Sequence, residues 1–178
     1  MGYRDFSADY LRECFEYRPH MGGLYWKPRP KRHFASEVSW RRFNEKYSRK
    51  RVGTVDSKTG YRKLTLDGVS IRAHNLVWII CTGTWPKEYL DHINHKRDDN
   101  RIVNLREVSK QGNGRNHSLY KNNKSGVSGV YWQNGRWKAR LRPNRKAVFV
   151  GSFEHLHEAE AAIIEARNKL GFHPNHGA

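Results

Sequence analysis

Between residues 90 and 116 the chain runs LDHINHKRDDNRIVNLREVSKQGNGRN, which sets one carboxylate, Asp91, beside one imidazole, His92, amid basic residues. An imidazole with an ordinary pKa of about 6.5 is mostly neutral at pH 7 and can take a proton from water. A carboxylate is a hard oxygen donor of the kind that holds Mg2+ or a similar cation. Phosphodiester hydrolysis requires these two things: a base for water, and a divalent ion to offset charge on phosphorus and on the leaving oxygen. Neighbouring residues on a strand point to opposite faces, so the pair shares a site only where the backbone bends or a loop begins. The Asn, Lys and Asp residues that follow supply the composition of such a bend. The alternative is an Asp-His dipeptide in an ordinary polar loop.

Elements that could position the pair lie on either side of it. FSADYLRECFEYRPHMGGLYWKPRP predicts a short helix over residues 7 to 16, a turn at Gly22-Gly23 and an aromatic strand ending at Pro28. Residues 29 to 53 are basic with scattered aromatics and no sustained period, which predicts a loop-rich insertion whose Arg and Lys could hold phosphates. From Val55 the pattern is an alternating hairpin turning at Asp67-Gly68, then a buried helix from His74 to Cys81 ended by Gly83, Trp85 and Pro86. Residues 90 to 104 are extended around a polar loop, and 106 to 117 suit a short helix. NNKSGVSG, residues 122 to 129, has a linker's composition. Three short strands with turns at Asn134-Gly135 and Pro143-Asn144 follow it, and then an Ala-rich helix. The fold class expected is α+β, with an extension over 1–54, a central unit over 55–121, and a small three-stranded antiparallel sheet packed on one helix over 122–178.

In the 178-residue chain, 34 Lys plus Arg stand against 17 Asp plus Glu, a net charge of +17. A field of that sign recruits a polyanion, so nucleic acid is the expected partner, and no small-molecule cofactor is expected. No membrane association is expected: no apolar stretch approaches the ~18 residues of a span, and no basic amphipathic helix stands out. The start MGYRDFSADY lacks a signal peptide's apolar centre, so a cytoplasmic location is expected. Cys14 and Cys81 are too few for a disulfide framework and are expected to be small buried apolar residues.

DHINHKRDDNRIVNLR followed by QGNGRN, with AHNLVW upstream, resembles the HNH endonucleases, in particular the phage homing-type branch. The coinciding positions are His74, Asp91, His92, Asn100, Asn104, Leu105, Arg106 and Asn113, within residues 55 to 117. The resemblance implies a ββα-metal core in which a hairpin and a helix clamp one divalent ion against the scissile phosphate. It further implies that His92 is the general base, that Asp91 and Asn113 bind the metal, and that Asn104 braces the hairpin loop. The third motif position is Asn113 rather than a histidine, and an amide oxygen favours Mg2+ or Mn2+ over Zn2+. His117, four residues on, is the rival third ligand. His95 is expected to be a solvated loop histidine, His74 to fasten the start of its helix, and Asn116 to cap or to bind phosphate. One site per monomer, the favoured state, would most naturally nick.

In GRWKARLR the side chains alternate: Trp137, Ala139 and Leu141 share one face, and Arg136, Lys138, Arg140 and Arg142 the other. A cationic ribbon of this kind fits the ~12 Å major groove, though a solvated strand face would carry the same pattern. SGVSGVYWQNGRWKARL, VFVGSF and HEAEAAIIEAR resemble the DNA-binding domain of plant ethylene-response (Apetala-type) factors. That resemblance implies sheet-in-groove binding through Tyr131, Arg136, Lys138, Arg140 and Phe149. The competing expectations are a non-catalytic DNA-binding regulator on a decayed nuclease fold, and single-stranded RNA binding through Trp132 and Phe149.

Overall fold

Ser7 opens the first helix, α1 (Ala8–Cys14), by accepting the Tyr10 N–H at 3.2 Å. In the computed structural model, which describes residues 2–109, 119–120, 122–143, 146–174 and 176–177, the chain divides into two units, Met1–Glu107 and Val108–Ala178.

In the first unit α1 buries Leu11 and Cys14. The aromatic strands β1 (Phe15–Arg18) and β2 (Gly23–Trp26) pair antiparallel behind it, with Phe15 opposite Trp26. Strands β3 (Thr54–Val55), β4 (Arg62–Leu66) and β5 (Val69–Arg72) form a three-stranded sheet. The β4–β5 turn is Asp67-Gly68, and both residues have positive φ (47° and 81°), the geometry whose twist matches a tight hairpin. Its register sets Leu64 opposite Ile71, which directs both into the core. Next, α3 (Ala73–Thr82) buries Ala73, His74, Leu76, Val77 and Ile79 and stops at Gly83, whose φ of 81° is a left-handed cap. Strands β6 (Tyr89–His92) and β7 (Leu105–Val108) make a two-stranded ribbon. One apolar cluster runs from Phe6 through Val52 and Leu76 to Leu105, so residues before 54 share their core with the hairpin and α3.

The segment predicted as a loop-rich insertion contains an eleven-residue helix, α2 (Glu37–Tyr47), capped by Ser36, which accepts the Ser39 N–H at 3.2 Å. Trp40, Phe43 and Tyr47 recur at helical spacing, and the charges between them hid the period. Phe43 packs edge-on against Trp26 at 5.0 Å. Asn44 clasps the backbone of Arg29 from both sides: its Oδ1 accepts the Arg29 N–H at 2.8 Å, and its Nδ2 donates to the Arg29 carbonyl at 3.0 Å. Arg29 itself is buried, paired with Asp67 at 3.0 Å and surrounded by Phe34 and Phe43. This basic residue is therefore a packing hub, screened from any phosphate.

Further expectations need correction. Residues 105–108 are a strand, where the start of a helix over 106–117 was predicted; the rest of that stretch lies largely outside the described residues. Cys81 is exposed, because it falls on the outward face of α3, while Cys14 is buried as expected. Residues 122–129 form an ordered turn rather than a linker. Asn123 accepts the Gly126 N–H at 2.8 Å, Ser125 Oγ donates to Val130 O at 2.7 Å, and Val127 packs on the core.

In the second unit β8 (Val130–Gln133), β9 (Arg136–Leu141) and β10 (Val148–Phe153) pair in the order β10-β9-β8, and α4 (Leu156–Lys169) covers one face. Val130, Ala139 and Leu141 meet Ala159 and Ile163. The β8–β9 turn is Asn134-Gly135, as predicted, with φ of 53° and 72°. Of the second predicted turn, Pro143 is described and Asn144 lies outside the described residues. Gly129 has φ of 81°, and a Cβ there would stand 2.7 Å from the Arg140 carbonyl, so only glycine fits. Among the described residues, no helix is long and apolar enough to cross a membrane.

Candidate active site

The ribbon β6–β7 ends where its connecting loop must reverse the chain, and that loop is held by its own polar residues. Asn104 donates to Asn94 Oδ1 at 2.9 Å and to the Asp99 carbonyl at 2.8 Å, and its Oδ1 accepts the Asn94 N–H at 3.0 Å. A single buried amide thus closes three bonds across the loop. Arg101 grips Asp99 through two contacts of 2.8 and 2.6 Å, and this guanidinium holds the Asp99 carboxyl down to about 2. Arg62 of β4 reaches Asp98 at 2.7 and 2.9 Å, fastening the loop to the three-stranded sheet. His95 sits in this loop with φ of 63°.

His92, at the end of β6, is 3% exposed. Its Nε2 lies 3.0 Å from Oδ1 of Asn100, itself buried. A carbonyl oxygen only accepts, so Nε2 carries the proton and Nδ1 is the basic nitrogen of the neutral ring. Burial lowers the His92 pKa, opposed by the Asn100 hydrogen bond and by the charge of Asp91. The His74 ring stands edge-on to His92 at 5.1 Å, and Tyr61 lies 5.8 Å from His92 and 5.2 Å from His74. Burial, with the nearby His92 and Arg72, pushes His74 down to about 3. Among the described residues, its Nδ1 is buried with no hydrogen-bond partner. His74 therefore does more than begin α3: its neutral ring packs edge-on against His92.

Asp91 is also buried, and its Oδ2 accepts from Arg106 Nε at 3.1 Å and Nη2 at 2.9 Å. The pair engages different neighbours, as alternation along a strand requires, yet the carboxylate is close enough to act on the imidazole. Asn113, Asn116 and His117 lie outside the described residues. Among the described residues no group of three or more His, Cys, Asp or Glu side chains is placed to hold a metal. Asp91 nevertheless suits a hard divalent ion. Mg2+ commonly binds one or two carboxylates and takes its other ligands from water and phosphate, and Arg106 already balances Asp91 with positive charge.

On the second unit, the register places Tyr131 opposite Lys138, Gln133 opposite Arg136, and Phe149 opposite Arg140, on the face away from α4. Phe149 is 61% exposed, and Arg142 lies exposed just beyond β9. Arg136 makes a loose surface pair with Glu154 at 3.4 Å. Trp132 packs edge-on against Trp137 at 5.0 Å on the helix side of the sheet. Trp132 and Phe149 therefore occupy opposite faces and make no joint stacking platform for RNA.

Residues 72–115 match the HNH endonuclease family model. That segment runs from the residue before α3 through β6, the braced loop and β7, and takes in every residue described around His92 except Tyr61 and Arg62. The match supports a nuclease in this segment; HNH nucleases as a class act on DNA and generally use divalent metal ions. No curated protein and no solved structure matches the chain significantly.

Sequence reasoning did not assign roles to Asn100, Tyr61 or Arg106. The amide eight residues beyond His92 was visible as a family position, but its bond to Nε2 depends on how the loop folds back. Arg106 faces Asp91 only because β6 and β7 pair.

Proposed function

We propose that the protein is a metal-dependent HNH endonuclease of the homing type, site-preferring, that hydrolyses phosphodiester bonds in double-stranded DNA. The observation that carries this reading is a buried neutral imidazole, with its tautomer set by Asn100, next in the chain to a buried carboxylate. His92 Nδ1 takes the proton of the attacking water, and Asn100 and His74 keep the ring oriented. Asp91, with Asn113, would hold Mg2+ or Mn2+. When bound, the ion supplies positive charge at the phosphate and the departing 3'-oxygen. Asn104 holds the loop so that the base stays in place. The products are 5'-phosphate and 3'-hydroxyl ends. The outer sheet face of the second unit, with Tyr131, Arg136, Lys138, Arg140, Arg142 and Phe149, aims the nuclease in the manner of the Apetala-type domain it resembles. A phage or mobile element acting in a host cytoplasm is the setting we favour.

Incubation with plasmid should give Mg2+-dependent nicked or linear DNA that EDTA abolishes. His92→Ala should lower the rate by roughly 100- to 10,000-fold with DNA affinity nearly unchanged. A His92→Ala protein that cuts at the normal rate would end the assignment.

One observation favours a second reading, a DNA-binding regulator on a nuclease scaffold: Arg106 already occupies Asp91 with two donors. On that reading the protein binds duplex DNA and leaves it uncut with Mg2+ or Mn2+.

A further inference from the structure

The arginines around His92 fall into two groups. Arg62 is matched to Asp98, Arg101 to Asp99 and Arg106 to Asp91. Arg72 and Arg97 are not: among the described residues neither has a carboxylate within ion-pair distance. Both are exposed, and both lie against the ring of Tyr61, with guanidinium carbons 4.6 Å and 5.1 Å from its centroid. Arg97 also donates one bond to the Thr59 carbonyl at 2.8 Å. The same ring lies 5.8 Å from the His92 imidazole.

A guanidinium has five N–H donors in a rigid fork suited to phosphate oxygens. Stacking on an aromatic ring uses its face and leaves the donor edge open. Arg72 and Arg97 come from separate places, the end of β5 and the ribbon loop, and Tyr61 gathers them beside the imidazole. In a region where nearby arginines are tied to carboxylates, the two that have no carboxylate partner among the described residues stand over one ring next to the base.

We infer that Arg72 and Arg97, held by Tyr61, form a clamp for the backbone phosphates of the strand on which His92 acts. The inference rests on the nuclease reading and adds to it the groups that grip the substrate. Tyr61 is a positioning residue, since it acts through the two guanidinium groups.

The test uses the full chain with Arg72→Gln, Arg97→Gln and both lysine variants, alongside Arg41→Gln on α2 as a remote control. Two readouts are taken: steady-state cleavage of a plasmid with Mg2+, and duplex binding as a function of salt with Ca2+ in place of Mg2+. Each glutamine variant should lower kcat/KM by roughly ten- to hundredfold and make the log-log salt slope shallower by about 1. The lysine variants should restore the slope but not the rate, because a point charge lacks the fork. Tyr61→Leu, which removes the ring that both guanidinium groups lie against, should shift the rate and the salt slope in the same direction as the glutamine variants. Normal cleavage and an unchanged salt slope in both glutamine variants would overturn the clamp while leaving the nuclease reading intact. If the wild type does not cut, the nuclease reading fails, and the salt slope still decides whether these arginines contact phosphate.

Discussion

At the scale of single residues, the proposed chemistry turns on which nitrogen of His92 carries the proton. Asn100 sets it, with the carbonyl of a buried amide 3.0 Å from Nε2. Replacing Asn100 with alanine should lower kcat by roughly ten- to hundredfold with little change in KM, the size seen when groups that orient a histidine are removed. Asn100→Asp should place a negative charge at Nε2, favour the protonated ring and shift the pH profile toward higher pH. A profile identical to wild type in both variants would show that the tautomer is fixed elsewhere. His74 makes a different prediction. Its pKa is pushed down to about 3 in the folded chain, against an unperturbed value of about 6.5. Between those values the unfolded chain binds a proton that the folded one refuses. The stability is therefore complete above about pH 6.5 and lost progressively toward pH 3. Urea titrations from pH 7 to pH 4 should show a smaller loss in His74→Leu than in wild type, and equal losses would sink the attribution.

The elements show where local signals suffice. Both Asx-Gly turns, Asp67-Gly68 and Asn134-Gly135, were legible because a tight hairpin needs positive φ at those positions, which few residue types adopt readily. The helix after the first hairpin was legible from its apolar run and its Gly83 stop. Helix α2 was not, since its aromatic period is diluted by charges and it has no fully buried side chain. It is held instead by Asn44 on the Arg29 backbone, a contact between residues fifteen apart. Asn44→Ala should cost about 1 to 3 kcal/mol, since it strands the part-buried Arg29 N–H, although Trp40 Nε1 still donates to the Arg29 carbonyl at 2.8 Å, and the urea midpoint should fall accordingly. In the second unit Gly129→Ala meets both a positive φ and a backbone carbonyl at 2.7 Å. It should destabilise by at least about 1 kcal/mol, whereas Gly135→Ala, with open space around it, should cost less. Equal costs would mean that the contact with Arg140 is easily relieved.

For the molecule as a whole the governing quantity is the net charge of +17. If binding rests on about six phosphate contacts, affinity for duplex DNA should fall with salt at a log-log slope near −5. A slope near zero would remove the electrostatic argument for a nucleic-acid partner. The charge, the Asp91-His92 pair, the hairpin and helix ahead of it, and the alternating Arg and Lys of β9 were all set by the sequence itself, because each depends on residue type and short-range spacing. Only the tertiary structure decided that Arg29 is buried while Arg72 and Arg97 keep their charge exposed, that Arg106 answers Asp91, and that Asn100 sets the His92 tautomer. Those outcomes depend on which distant segments meet. A positive side chain reads the same in the sequence whether a carboxylate stands across from it or open water does.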